Sequence, residues 1–166
     1  MLIRLAKTED LDNLTTLVRQ VVPLMRASGN LQWDENYPNA EVFSRDIERG
    51  QLWVAEINSH IAGVIAITSD VEPDYEQADW DNTKSALVVH RLAVNPGFQG
   101  FGVGRELMRQ AEKVAVEKAI SFIRVDTNAE NKATQRLFPS LGYRFAGEIS
   151  LQMRPGLRFF CYEKQL

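Results

Sequence analysis

Apolar positions along this chain switch between two periods. Ile3 to Ala6 read as a short strand. Thr8 stands as the N-cap of a helix, with Glu9 and Asp10 favourably placed in its first turn. Leu11, Leu14, Leu17, Val18, Val21 and Met25 then recur at helical spacing, and Pro23 is expected to kink or end the helix. A polar and aromatic connection, GNLQWDENYPN, leads to a second helix over Ala40 to Arg49, stopped by Gly50. Leu52 to Ile57 and Ile61 to Thr68 form a hairpin around Asn58-Ser59-His60. The acidic stretch from Asp70 to Ser85 has no period and reads as loop. Leu87 to Val94 is a near-continuous β-branched run, the mark of a strand covered on both faces.

Beyond Asn95-Pro96-Gly97, Val103, Leu107, Ala111, Val114 and Ala115 trace an amphipathic helix from Gly102 to Lys118. Ile120 to Thr127 is another buried strand, and a short helix spans Asn131 to Leu141 before Gly142. Two strands separated by Arg154-Pro155-Gly156 complete the chain. The order β-α-α-β-β-β-α-β-α-β-β predicts an α/β fold, with helices on both faces of one mixed central sheet.

Composition narrows the function classes. At 166 residues and 45% hydrophobic, the chain is one domain, residues 1–166, able to bury a core without a metal or disulfide staple. A net charge of -3 gives no overall attraction to nucleic acid or an anionic membrane. No apolar run reaches the ~20 residues of a membrane helix. The N-terminus shows no signal-peptide pattern, and the lone Cys161 has no internal disulfide partner, so a cytoplasmic protein is expected.

The most informative segment is LAVNPGFQGFGVGRELM. A buried strand ends, a turn follows, and Gly100, Gly102 and Gly104 lead into a helix. Glycines let backbone approach a ligand, and the first N–H groups of a helix, with its dipole, make an anion site suited to phosphate. The dinucleotide pattern G-x-G-x-x-G fails, because the third position falls on Arg105 or Leu107; no Gly-Lys-Ser/Thr follows for a Walker loop. NAD and ATP are therefore poor fits. The bland alternative is a plain strand-to-helix turn.

Gln99-Gly100-Phe101-Gly102-Val103-Gly104 resembles the Q/R-x-x-G-x-G/A signature of the GNAT N-acetyltransferases. Arg91 to Pro96 looks like that superfamily's fourth strand and exit turn. Asn131-Lys132-Ala133 through Leu141-Gly142-Tyr143 is similar to its N-x-x-A…L-G-F/Y element. The resemblance covers essentially the whole chain and implies a mostly antiparallel sheet and acetyl-CoA as acetyl donor. It places the pyrophosphate on the backbone of Gln99 to Gly104, with Arg105 beside it. It puts the pantetheine arm along Leu92, Ala93 and Val94, in a slot where that strand splays from the next. Asn131 and Phe138 would flank the arm from the other side; Asn131 is equally suited to capping its own helix.

The reaction that the resemblance implies is direct attack of an amine on the thioester. A Lys-like amine, of pKa ~10.4, must lose a proton first. His90 is the base candidate: alternation puts it on the face of Leu92, and an unperturbed pKa of ~6.5 suits proton transfer. Its alternative is a packed strand histidine. Many relatives carry Tyr seven residues after the Asn as general acid; Phe138 stands there and has no proton to give. Tyr143 and Tyr162 are the substitute hydroxyls, each equally suited to packing. Cys161 reads as a buried thiol rather than an acyl nucleophile.

The acceptor site has two candidate frames. One, as the resemblance implies, is the connection between the first two helices, holding Trp33, Asp34, Glu35 and Tyr37. The other is the acidic loop with Asp70, Glu72, Asp74, Glu76, Asp79 and Asp81 around Tyr75 and Trp80, which either attracts a cationic acceptor or is a solvated loop with an aromatic anchor. The reading is an acetyl-CoA-dependent N-acetyltransferase acting on a primary amine of a small molecule or peptide. It expects no metal, allows a homodimer, and leaves two rivals: a non-catalytic acyl-CoA-binding module, and a regulatory domain binding another phosphate ligand through the glycine loop.

Overall fold

The computed structural model describes residues 1–166. Its elements follow the expected order: β1 (Leu2–Leu5), α1 (Leu11–Ala27), α2 (Ala40–Glu48), β2 (Leu52–Ile57), β3 (His60–Thr68), β4 (Ala86–Val94), α3 (Val103–Glu117), β5 (Phe122–Asn128), α4 (Lys132–Ser140), β6 (Arg144–Ile149) and β7 (Phe159–Gln165). They build one seven-stranded sheet in the order β1-β2-β3-β4-β5-β7-β6. Every neighbouring pair is antiparallel except β4 and β5.

Apolar side chains explain the layering. Val103, Leu107, Met108, Ala111, Val114 and Ala115 of α3, with Phe138 of α4, bury against one face of the sheet. Leu14, Leu17, Val18, Val21 and Val22 of α1, with Phe43 of α2, cover the other. A third cluster packs Tyr75 and Trp80 onto Val88, Ile149, Phe159 and Cys161. The stretch from Asp70 to Ser85 is therefore an anchored cover containing a short 3-10 turn, Pro73–Gln77. No helix is long and apolar enough to cross a membrane.

Two local expectations are corrected. Thr8 does not cap α1. A 3-10 turn, Thr8–Asp10, precedes the helix, and Asp10 accepts from the Lys7 N–H at 2.8 Å while Arg4 holds both its oxygens. The arginine keeps that carboxyl below its usual pKa. Pro23 does not end α1, which runs on to Ala27. It lies on the exposed face, where water can take the carbonyl freed by its missing N–H.

Two strand irregularities shape the centre. On β4, Val64 opposes Ala93 while Ala66 opposes His90, so β4 carries one extra residue there. Arg91 occupies the left-handed region at φ 53°, a β-bulge. On β5, pairing with β4 ends at Val89↔Val125, although β5 goes on pairing with β7 to Asn128. The β5-facing edge of β4 from His90 to Val94 thus has no strand partner, which is the expected splay.

Candidate active site

The splay opens a cavity of about 260 Å³. His90, Arg91, Leu92, Ala93 and Val94 of β4 form one wall; Val125, Asp126 and Thr127 of β5, with Asn131, Thr134 and Phe138, form the other. Trp33 and Tyr37 close the end beneath α1 and α2, and Gln99 and Gly104 stand at the opposite end. Ten of the residues expected from sequence meet here: His90, Leu92, Ala93, Val94, Gln99, Gly104, Asn131, Phe138, Trp33 and Tyr37.

The glycine loop forms a cradle beside this cavity. Gly100 and Gly102 sit at φ 85° and 77°, and Gly102 is the residue before α3. A Cβ at either position would meet nothing within 4 Å, so backbone conformation rather than crowding requires glycine. Gly104 differs: its Cβ would come within 3.3 Å of Leu137, where α3 meets α4. The first helical bond runs from the Glu106 N–H to Gly102, which leaves the N–H groups of Val103, Gly104 and Arg105 without acceptors in the chain. Val103 turns its side chain into the core, Phe101 is exposed, and Arg105 reaches Ser140 at 3.3 Å. This end suits an anionic group.

Asn131 does two things. Its side-chain oxygen caps α4, accepting from the Thr134 N–H at 3.3 Å, while its amide nitrogen has no partner in the chain and borders the cavity. The Thr127 and Thr134 hydroxyls bond each other at 2.7 Å on the same wall.

Several expectations change. The bulge at Arg91 breaks the strand alternation, so His90 shares a face with Ala93, while Leu92 packs on the opposite side with Val94. His90 still borders the cavity, but burial and the adjacent Arg91 hold its pKa down to about 4, not near neutrality. Trp80 is not in the cavity: it is buried edge-on to Tyr75, with Arg124 stacked 4.8 Å from its ring centre. Glu35 is exposed outside it. None of the acidic loop residues lines it. Tyr143 and Tyr162 pack beside Phe138 in the core, away from the cavity wall. Cys161 is fully buried, and burial pushes its thiol well up.

Five polar residues on the wall, Gln32, Arg91, Asp126, Thr127 and Thr134, escape the sequence reading, and two of them are charged. Arg91 forms a two-point ion pair with Asp46 of α2, at 2.6 and 2.9 Å, and donates to the Tyr37 hydroxyl at 3.1 Å. It ties the end formed by α1 and α2 to β4. Asp126 accepts from the buried Tyr75 hydroxyl. The sequence carries a weak signal for it: an acid within a largely buried strand, beside Val125, demands a partner.

Comparison with known proteins agrees with this geometry. Residues 15–143 match the model of the Acetyltransferase (GNAT) family. YesJ of Bacillus subtilis, an uncharacterized N-acetyltransferase, is 25% identical over 84% of this chain and 79% of its own length. The human N-acetylaspartate synthetase is 29% identical over 68% of this chain, which spans only 34% of that protein. A GNAT-family acetyltransferase from Streptococcus agalactiae superposes with a TM-score of 0.82 at 25% identity, over 99% of this chain and 95% of its own. The fold of yncA from Salmonella typhimurium, solved with its cofactor acetyl-CoA, superposes with a TM-score of 0.73 at 20% identity, over 100% of this chain and 94% of its own.

Proposed function

The chain belongs to the GNAT acetyltransferase family, and from that premise we propose that it transfers the acetyl group of acetyl-CoA to a primary amine by direct attack. The unpaired edge of β4 beside the α3 cradle carries this reading. The N–H groups of Val103 to Arg105 take the pyrophosphate. The free edge from His90 to Val94 takes the peptide-like pantetheine arm, with the Asn131 amide opposite. The thioester then lies against Phe138, and the amine enters from the end formed by Trp33 and Tyr37.

Each residue's chemistry follows from its surroundings. A backbone N–H on the free β4 edge donates to the oxyanion that forms as the amine attacks. His90, neutral throughout the working range, offers a hydrogen bond to the acceptor and titrates too low to set the rate near neutrality. Phe138 gives no proton to the leaving sulfur. A thiol of pKa ~8.5 leaves readily as thiolate, so a general acid is dispensable here in a way it would not be for an alkoxide. The size of the cavity and the kinship with N-acetylaspartate synthetases favour a small amine or a peptide end as acceptor.

Phe138 also favours a second reading, a module that binds acyl-CoA without transfer. One experiment separates the two. Thiol release from acetyl-CoA is followed across a panel of primary amines, polyamines, amino acids and peptides. Release with at least one amine supports the enzyme. A melting-point rise with acetyl-CoA but no release with any amine supports the module. No binding of acetyl-CoA at all refutes both.

A further inference from the structure

We propose that Asp126 receives the ammonium group of the acceptor and takes a proton from it, held in position by the Tyr75 hydroxyl. This rests on the acetyltransferase reading and names its acceptor as a cationic primary amine.

Asp126 lies on β5 one step beyond the last residues paired with β4, where the two strands part. Its side chain borders the cavity. One carboxylate oxygen accepts from Tyr75, whose ring is fully buried and cannot swing away. The other oxygen has no donor in the protein, and no arginine or lysine pairs with Asp126. The buried acids are all partnered, Asp10 by Arg4, Asp46 by Arg91 and Glu163 by Arg124, whereas Asp126, partly buried where it meets the cavity, has no cation. A carboxylate largely screened from bulk water, with no cation beside it, is costly, and an arriving ammonium removes that cost.

No neighbour competes for that role. His90 on β4 is neutral; Arg91 is committed to Asp46; the Cys161 thiol on β7, opposite Asp126 in register, stays protonated. Tyr75 and Glu72 come from the segment after β3. Burial, with Glu72 adding to it and Tyr75 opposing, pushes the Asp126 carboxyl up to about 6. It is ionised above that pH and still basic enough to accept a proton from an amine that is forming a bond to carbon.

The step balances as follows. The bound ammonium gives up one proton to become the neutral amine, whose lone pair forms the C–N bond while the carbonyl π pair moves to oxygen. As the intermediate collapses, C–S breaks, and the sulfur leaves with the bonding pair. The nitrogen loses its second proton. One of the two protons passes through the free oxygen of Asp126 to solvent, and the other ends on the coenzyme thiol. An ammonium and acetyl-CoA thus yield an amide, CoA and one proton.

The test uses thiol release with the best amine from the panel. In the wild type, log kcat/KM should bend near pH 6. D126N should lower kcat/KM by ~10²-fold or more and abolish the bend. Y75F, which removes the hydrogen bond that favours the ionised carboxyl, should move the bend to higher pH. The acetyl-CoA melting-point shift should survive in both variants. The melting point of D126N relative to the wild type should rise between about pH 4 and pH 6, the window between the unfolded and folded values of the carboxyl, and level off above it. D126N within a few-fold of wild type with the same bend overturns this assignment and leaves the acetyltransferase reading standing. So does loss of activity in step with loss of the acetyl-CoA shift. A wild type that releases no thiol with any amine brings down the parent reading as well.

Discussion

Gly102→Asp tests the cradle where binding and folding can be read apart. The backbone there is left-handed at φ 77°, and a Cβ meets nothing within 4 Å. No packing is lost, so the stability cost is conformational, about 1 kcal/mol for a residue type that tolerates this region. A domain of this size should then melt roughly 2–4 °C lower. Binding suffers more. A carboxylate ~5 Å from one phosphate charge, at an effective dielectric near 20, is repelled by ~3 kcal/mol, over a hundredfold in Kd. In a thermal-shift assay, acetyl-CoA at a hundred times the wild-type Kd stabilises the wild type by ~2.7 kcal/mol, a rise of roughly 5–10 °C. The same concentration only reaches the variant's Kd, leaving ~0.4 kcal/mol and a rise of about 1–2 °C. Gly102→Ala, which shares the backbone strain without the charge, separates the two effects. An acetyl-CoA shift in Gly102→Asp equal to that of the wild type refutes the cradle.

Three further expectations follow from local geometry. Gly63→Ala places a Cβ 2.7 Å from Val103 Cγ1 and 2.8 Å from the Ala93 carbonyl, and the backbone oxygen cannot yield, so a loss of about 3 kcal/mol is expected in urea unfolding. His90 is held neutral down to about pH 4 when folded, against 6.5 when unfolded, so stability that it supports above pH 6.5 is lost as pH falls. His90→Gln should therefore gain on the wild type between pH 6.5 and 4, and an unchanged difference across that range contradicts the burial argument. The double variant Asp79→Lys, Asp81→Lys should leave the KM for amine and for acetyl-CoA within about twofold of wild type in thiol-release kinetics, because neither residue lines the cavity.

Periodicity reveals the elements because burial here is regular. The α3 stripe from Val103 to Ala115 and the β-branched run of β4 both meet one continuous core, so each repeats cleanly in sequence. The acidic loop misleads because its exposed carboxylates outnumber the two aromatics that fix it. Tyr75 is fully buried and Trp80 nearly so, and they hold the segment against β4, β6 and β7. Pro23 misleads for the opposite reason: a strong local breaker is tolerated where its orphaned carbonyl meets water and five buried residues earlier in α1 already fix the helix.

The glycine cradle and the Asn131 cap are legible in the sequence, and the orientation of the β4 wall is not. Gly100 and Gly102 announce themselves because only glycine takes their φ cheaply, and Asn131 because a cap must stand at a fixed place before α4. The orientation of His90 depends instead on one extra residue in β4. That residue, Arg91, is no glycine; its left-handed backbone accompanies an ion pair to Asp46, 45 positions earlier in the chain. Strand alternation cannot foresee such a bulge, because the interaction that accompanies it is long-range. The same irregularity that turns Leu92 to the α3 side of the sheet leaves His90 with Ala93 on the α1 side, and the end of β4–β5 pairing there leaves Asp126 bordering the gap. On the proposed reading the acceptor end is therefore set by the β4 bulge against β3 and by the end of β4–β5 pairing, and substitutions at Arg91 or Asp46 should alter amine KM without touching the cradle.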